Sequence, residues 1–506
     1  MSDVLIVGAG PTGLWLALEL RSAGLEVTVI EKNVTRDIRS RGAAMAAGSL
    51  ETLATRGVDQ RFIDAGKPIH SVHFGASSTR LQMSRDVLGT KHPHSLMISQ
   101  AVTEQILADL CENNGIKFFY GHTAVGLAQD AHGVMLETES NGGAKSNFTA
   151  AYLVGCDGTR STIRKLAGID FPGTEATFSG WLADVLVTDP PPAPISTNNK
   201  SGSFLIQPLG YKDYYRVTGV HLKTRHLPTS VVPTLEDAKS FTIEATGKDF
   251  GMHSPLWVSR FSNATRLAEN FRSGRVFVAG DASHQFFPAG GQGITTGLQD
   301  ALNLAWKLTA VIQGRVTGAN AENLLGSYSS ERRCALQGIL ANTLAQTALF
   351  IRDGPPEIAL AEVVYELLAH PDLNKMWVRR ITGFDDRFPV EYEGQDPLVG
   401  KRVTHLEVQG GFEALHTAMA VDKFLLVVRD EKIEAVLRKC TEPWASHLKY
   451  FGQDDNINPF SPQWDGVNAI LVRPDARVAW IWRVSSSPEQ LESSVVKTLG
   501  KLCKET

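Results

Sequence analysis

Cysteine is scarce in this chain: five residues among 506, Cys111, Cys156, Cys334, Cys440 and Cys503. No two of them stand in C-x-x-C or metal-ligand spacing. That excludes a dithiol redox motif and a zinc knuckle, predicts no metal site, and points to free thiols in a reducing compartment. Charge of one sign is lacking too. Lys and Arg total 50 against 54 Asp and Glu, a net −4, so no strong field marks a nucleic-acid or anionic-membrane surface. No apolar run approaches the ~18 residues of a membrane span. The first strand begins at residue 4, which leaves no room for a signal peptide, and the expectation is a cytoplasmic protein. Internal repeats and low-complexity tracts are absent. What remains is an ordinary globular composition, 43% hydrophobic and 21% charged, long enough for roughly three domains.

The stretch from Val4 to Lys32 organises the rest. Val4 to Val7 is a continuous apolar run, as in a buried parallel strand. Gly8, Gly10 and Gly13 follow in G-x-G-x-x-G spacing, with Pro11 and Thr12 between them. Leu14, Leu16, Ala17, Leu18 and Leu20 give the next helix its apolar face, and Glu26 to Ile30 reads as a second strand ending at Glu31 and Lys32. This strand–loop–helix–strand unit predicts dinucleotide binding. Gly8 permits the turn, Gly10 admits a pyrophosphate to the backbone, Gly13 lets helix and strand pack, and Glu31 can accept ribose hydroxyls. The helix N-terminus favours the phosphate charge.

Two further stations follow. From Gly274 to Leu308, an apolar strand delivers Gly280 and Asp281. Pro288, Gly290, Gly291, Gln292 and Gly293 then bring bare backbone to the start of a helix predicted over about Ile294–Gly314. Asp281 alone would read as a helix cap; beside this glycine cluster it reads as a ligand contact. From Gly155 to Ile169, Asp157-Gly158 ends a strand and Arg160 and Arg164 follow, alternatively a turn with solvated arginines. Between these stations, Phe171 to Phe271 turns to short alternating strands, predicting an inserted antiparallel sheet that roofs a substrate cavity. Leu96 to Gln100 reads as a short strand. Ile381 to Gly400 reads as a linker, Pro474-Asp475-Ala476 as an exposed turn, and Ser487-Pro488 as the cap of a last helix.

The three stations, in this order, resemble the single-component FAD-dependent aromatic hydroxylases, with p-hydroxybenzoate hydroxylase as archetype, over about residues 1–385. The resemblance implies an α/β fold: a Rossmann-like FAD-binding domain in two parts (1–170, with a substrate-domain excursion at about 70–98, and 272–385) and a substrate-binding sheet domain at 171–271. Residues 400–506, with the string WDGVNAILVRPDARVAW, are similar to the thioredoxin-like C-terminal domain of the phenol and polyketide hydroxylase branch, here redox-silent.

By matching positions, Gly8, Gly10, Gly13 and Glu31 would hold the ADP half of FAD. Arg41 would lie near the ribose and pyrophosphate, and Gln100 at the ribityl chain. Asp281 would bind the ribityl and pyrophosphate region, and Pro288 to Gly293 would face the pyrimidine edge. Asp157 belongs to the motif associated with FAD and NAD(P)H. Pro11, Thr12, Lys32 and Gly280 complete the candidate cofactor contacts. Gly42 stands where the family usually has Ala, and Thr295 where it often has Asn. No second G-x-G-x-x-G occurs, which disfavours the two-dinucleotide monooxygenases and disulfide reductases.

The implied activity is that of a monooxygenase with noncovalent FAD. NADPH or NADH reduces the flavin, and a flavin C(4a)-hydroperoxide transfers oxygen from O₂ to a phenolic or polyketide-type ring. Baeyer–Villiger insertion, epoxidation, an FAD reductase without oxygen transfer, or a non-catalytic flavoprotein are the alternatives. No catalytic base stands out. Gln207, Tyr215, His253, Phe287 and Pro288 are the candidate substrate residues. Tyr214, Tyr215, Arg216 and His253 could reach a cavity but more often such residues pack or face solvent. A homodimer is compatible with the sequence.

Overall fold

The computed structural model describes residues 2–77, 79–389, 396–403, 406–407, 411–452, 458–459, 464–483 and 488–503. The apolar run at the N-terminus forms β1 (Ser2–Val7), and the chain returns through helix α1 (Pro11–Ser22) to β2 (Val27–Glu31). Proline at the first turn suits a helix start, since its missing N–H would have had no partner there. Helix α2 (Ala47–Ala54) and helix α3 (Gln100–Asn113) precede β3 (Lys117–Tyr120). A meander of β4 (His122–Gln129), β5 (Val134–Ser140) and β6 (Lys145–Gly155) brings the chain back beside β1. β6, β1, β2 and β3 run parallel in that order, with β1 at the centre. Residues buried on both faces explain the unbroken apolar run of β1. Gln100 does not close a strand as its sequence suggested. The strand ends at Met97, and Ser99 caps α3 by accepting the Val102 N–H at 3.2 Å.

After the short helix α4 (Thr162–Leu166), a five-stranded antiparallel sheet forms from β7 (Ser179–Val187), β8 (Ile195–Asn199), β9 (Gly202–Pro208), β10 (Tyr215–His221) and β11 (Met252–Ser262). Its spatial order is β8-β9-β10-β7-β11. Helix α5 (Leu235–Thr246) covers one face, where Trp181, Ala183, Val185, Phe204, Ile206 and Val217 are buried. Alternation turns Asp184, Gln207, Arg216 and Val220 to the other face.

The first sheet then resumes. β12 (Arg272–Ser273) pairs with β13 (Val276–Val278), and β13 lies parallel to β6. Helix α6 (Gln292–Ile312) follows, with Leu298, Leu302, Ala305 and Leu308 all buried, and leads to the 33-residue helix α7 (Gly318–Phe350).

The C-terminal module is thioredoxin-like. It is a four-stranded mixed sheet of β14 (Phe424–Val428), β15 (Leu448–Gly452), β16 (Val467–Val472) and β17 (Val478–Arg483), in the order β15-β14-β16-β17. The last helix spans Pro488–Leu502; its expected cap, Ser487, lies outside the described residues. The connecting segment is packed, and one expectation here is overturned. Within the segment read as a linker, Phe384, Phe388, Leu398 and Val399 are buried; residues 390–395 lie outside the described part. The β16–β17 turn is not exposed: Asp475 is 3% accessible and its flanking arginines, Arg473 and Arg477, 1% each, because each finds a charged partner in the preceding domain.

Candidate active site

The three glycines of the first loop do different work. Gly8 has φ +108°, and a Cβ there would lie 2.4 Å from the Cys156 carbonyl oxygen; one on Gly13 would lie 2.1 Å from the Gly8 oxygen. Both are demanded by packing. A Cβ on Gly10 would meet nothing nearer than Glu104 Oε1 at 4.0 Å, so this tip fronts open space. Helix α1 starts there with no capping side chain and no acid in its first turn, leaving bare N–H groups. At the end of β2 the Glu31 carboxylate accepts the Ala9 N–H at 2.9 Å and the Asn33 N–H at 2.9 Å, which fixes it beside the loop. Lys32 is exposed. Thr12 faces inward: a Cβ on Gly280 or Gly297 would lie 2.5 or 2.2 Å from its hydroxyl oxygen. Its side chain is a packing contact, so what Thr12 offers at the helix tip is its backbone N–H.

The second station faces the same loop. β13 ends in a tight turn in which Gly280 has φ +62° and Asp281 is exposed, with no partner among the described residues. The Gly280 N–H donates to Asp300 Oδ2 at 2.9 Å. Pro288 is exposed, Gly290 and Gly291 have φ of +73° and +64°, and α6 begins at Gly291 with neither cap nor acid in its first turn. A Cβ on Gly293 would meet nothing within 4 Å. The Gln292 side chain turns inward, donating to the Ala289 carbonyl at 3.1 Å and accepting from Asn342 at 3.4 Å, so only its backbone stays at the helix tip. Thr295 is likewise interior, bonded to Ser49 at 2.7 Å.

At the third station the Asp157 carboxylate accepts from the Ser161 hydroxyl at 2.5 Å and from the Thr162 and Ile163 N–H groups at 2.7 and 3.1 Å. Its side chain caps α4, leaving the adjoining backbone at the loop. Arg164 is buried and donates to the Ala282 carbonyl at 2.8 Å, tying this station to the Asp281 turn; it is not a solvated arginine. Gln100 accepts the Gly42 N–H at 3.1 Å and donates to Glu104 at 2.8 Å. Burial, then the nearby Glu31 and Asp37 carboxylates, push Glu104 up to about 7. The Arg41 side chain is exposed, and its carbonyl accepts from Arg216 at 2.7 Å. Arg216 also forks onto buried Asp184 at 2.8 and 2.7 Å, so it pins the roofing sheet to the Ser40–Arg41 segment instead of reaching substrate.

Of the substrate candidates, Gln207 stands opposite Arg216 in the β9–β10 register, on the sheet face toward the flavin domain. Tyr215 packs on the α5 side, the wrong face, and His253, opposite Leu186 at the strand end, is exposed and bonded to Ser254 at 3.0 Å. Tyr214 stacks near Tyr211, ring centroids 6.2 Å apart. Phe287 is buried at the centre of an aromatic wall, its ring 5.6 Å from Phe178, 5.9 Å from Phe261 and 5.1 Å from Phe350. His73 extends this wall, 6.1 Å from Phe350. Its Nδ1 accepts the Ala76 N–H at 3.3 Å, and burial followed by the Arg80 charge pull its pKa down to about 4, so the ring is neutral with its proton on Nε2. Nothing in the sequence marked His73, a lone histidine in a three-residue strand. Asp300 and Arg332 were missed as well, because charged residues in a helix read as solvent-facing, and so was His284, in a two-residue strand after the Gly280 turn. Among the described residues no cluster of His, Cys, Asp or Glu could hold a metal ion, and no helix is long and apolar enough to cross a membrane.

Comparison with known proteins gives this geometry its chemistry. Residues 1–343 match the family described as FAD binding domain, and residues 396–501 the family described as aromatic-ring hydroxylase, C-terminal. The uncharacterized aromatic compound monooxygenase YhjG of Bacillus subtilis (strain 168) is 36% identical over 490 residues, 94% of each chain. Rifampicin monooxygenase of Streptomyces venezuelae is 35% identical over 487 residues, 95% of each chain. The solved structure of OxyS anhydrotetracycline hydroxylase from Streptomyces rimosus superposes with a TM-score of 0.86 at 33% identity, covering 99% of this chain and 98% of that one. Two bare helix tips, one beside Glu31 and one after the turn that presents Asp281, fit the long anionic dinucleotide that such proteins carry, and the chain belongs to the FAD-dependent aromatic-ring hydroxylases.

Proposed function

We propose that this enzyme hydroxylates a phenolic, polyketide-type ring, using NADPH or NADH and O₂, and holds its FAD without a covalent bond. The observation that carries the proposal is the position of the phenylalanine wall. Phe287 lies next to Pro288, so an apolar wall of edge-packed rings meets the bare start of α6, where a flavin ring would sit. The anhydrotetracycline and rifampicin enzymes named above support the substrate class.

In this proposal Gly8, Gly10, Gly13 and the tip of α1 take the pyrophosphate, with Pro11 in that turn. Glu31 accepts ribose hydroxyls, with Lys32 and Arg41 at its rim. Gln100 and Asp281 flank the ribityl chain, the latter held by Gly280. The backbone at Asp157 closes the loop, and Pro288, Gly291, the Gln292 backbone and Gly293 face the pyrimidine edge. When bound, FAD supplies hydride acceptance from NAD(P)H and activation of O₂. The chain supplies position, a dry wall, and the unpaired N–H groups of α6, which favour negative charge at that tip. Gln207 from the roof and neutral His73 on the wall are the polar groups offered to the substrate. Cys156, the thiol against the glycine loop, is held protonated by burial, which supports noncovalent binding. The free cysteines support a cytoplasmic location.

The test is NAD(P)H oxidation by purified holoenzyme with and without polycyclic phenols. Substrate-stimulated oxidation with a product gaining one oxygen on the ring is expected. A ring-expanded or epoxide product would sink the hydroxylase assignment, and oxidation with no oxygen transfer the monooxygenase itself.

A further inference from the structure

Two buried ionic networks cross from the C-terminal module into the flavin domain, and both start from the β16–β17 turn. In the first, Arg473 forks onto Glu331 of α7 at 2.7 and 2.8 Å and onto Asp475 at 2.9 and 2.5 Å. Lys307 of α6 donates to Glu331 at 2.8 Å, and Asn303 donates to both acids at 2.8 Å. In the second, Arg477 donates to Asp386 Oδ2 at 2.5 Å and to the Asp386 carbonyl at 2.8 Å. That Asp386 oxygen lies 3.9 Å from Arg332 Nη1, and Gln299, in the amide orientation that satisfies it, donates to it at 3.1 Å. Arg332 Nε donates to Asp300 Oδ1 at 2.7 Å. The other Asp300 oxygen meets the Gly280 N–H at 2.9 Å and His284 Nε2 at 2.7 Å.

Only the second network thus ends on the turn that presents Asp281. Asp300, Arg332 and His284 are fully enclosed. Burial alone would raise the pKa of Asp300 and Asp386, yet facing Arg332 and His284 hold the first below its ordinary value, and Arg477, Arg402 and Arg332 the second. A buried charge that loses its partner must move or neutralise. Arg477 makes the direct contact and is the first of the three cations that hold Asp386, so removing it weakens the balance at Asp386, then at Arg332, then at the carboxylate that anchors Gly280.

We propose that Asp300, Arg332 and Asp386 are positioning residues for FAD, and that Arg477 completes their charge balance from the C-terminal module, so that seating of the module sets how firmly the Gly280–Asp281 turn holds the cofactor. The proposal rests on FAD binding by the wild type; a wild-type protein that took up no FAD would defeat that assignment first.

The experiment compares Asp386→Asn and Arg477→Gln with Glu331→Gln, which breaks the neighbouring network without touching the turn. FAD affinity of the apoprotein, the visible spectrum of bound flavin and the denaturant midpoint are read for each. The first two variants are expected to weaken FAD about 2- to 30-fold and to shift its spectrum. Glu331→Gln should lose stability and keep wild-type affinity and spectrum. Affinity falling in all three in step with stability, or unchanged in the first two, overturns the proposal. Arg477→Lys keeps the charge and loses the fork, and covers the case in which Asp386→Asn does not fold. Affinity and spectrum restored toward wild type relative to Arg477→Gln support the proposal there, and affinity no better than that of Arg477→Gln overturns it.

Discussion

Asp281 reads from the sequence as a ligand contact and Asp475 as an exposed turn residue, and their surroundings differ in another way. Asp281 is exposed beside the cofactor loop, whereas Asp475 is enclosed between Arg473 and Asn303. In the proposed site, Asp281→Ala would remove a charge-assisted hydrogen bond to FAD, about 1.5–3 kcal/mol, and should raise the dissociation constant about 10–150-fold with little change in apoprotein stability. Asp475→Ala removes half of Arg473's buried charge balance and should cost about 3 kcal/mol of stability. Flavin titration and denaturant melts of the two apoproteins check both. Glu104 gives a pH signature. Its pKa is raised to about 7, so the folded apoprotein binds a proton that the unfolded chain releases. The associated stability is complete below the ordinary carboxyl value and is lost as pH rises toward 7 and beyond, on the order of 3 kcal/mol. Glu104→Gln should flatten that decline between pH 5 and pH 8 relative to wild type; parallel curves would contradict the assignment.

At the scale of the element, the β1–α1–β2 unit shows what local pattern can convey. Its apolar run, glycine spacing and terminal acid all act on near neighbours in the chain, so the periodicity identified them directly. The same glycines predict a split. Gly10 has ordinary extended geometry (φ −77°) and open space in front, so Gly10→Ala should fold normally and lose FAD. Gly13→Ala would drive a methyl into the Gly8 carbonyl and should lose both fold stability and FAD. Thermal melts of the apoproteins alongside flavin content distinguish the two. The roofing sheet shows where local pattern runs short. Its strands were legible, but alternation does not say which face meets the flavin domain. Tyr215 and Arg216 are adjacent, and one packs under α5 while the other pins the sheet to Ser40 and Arg41. Only the partner surface decides that.

Across the whole molecule, the C-terminal module was recognisable as a unit, but its attachment was not. Arg477 and Asp386 are buried charges whose partner lies on a distant segment, and a sequence gives such residues the appearance of solvated surface. The module's thiols carry no redox signal. Burial pushes Cys440 up to about 11 and Cys503 up to about 12, far from a reactive thiolate. Replacing both with Ser should leave flavin reduction and reoxidation rates within about twofold of wild type, by stopped-flow absorbance; loss of turnover in a folded, yellow protein would assign them chemistry. Deleting the module is a harsher change, because Glu331 and Asp386 would lose their buried arginine partners, and unfolding is expected before any change in chemistry. This scaffold is expected to insert an atom of molecular oxygen into an aromatic ring. Single turnover of the reduced holoenzyme under ¹⁸O₂ with a phenolic substrate tests it most directly. One ¹⁸O in the recovered hydroxylated ring is the predicted result. A product carrying only solvent oxygen, or substrate converted without oxygen, would contradict it.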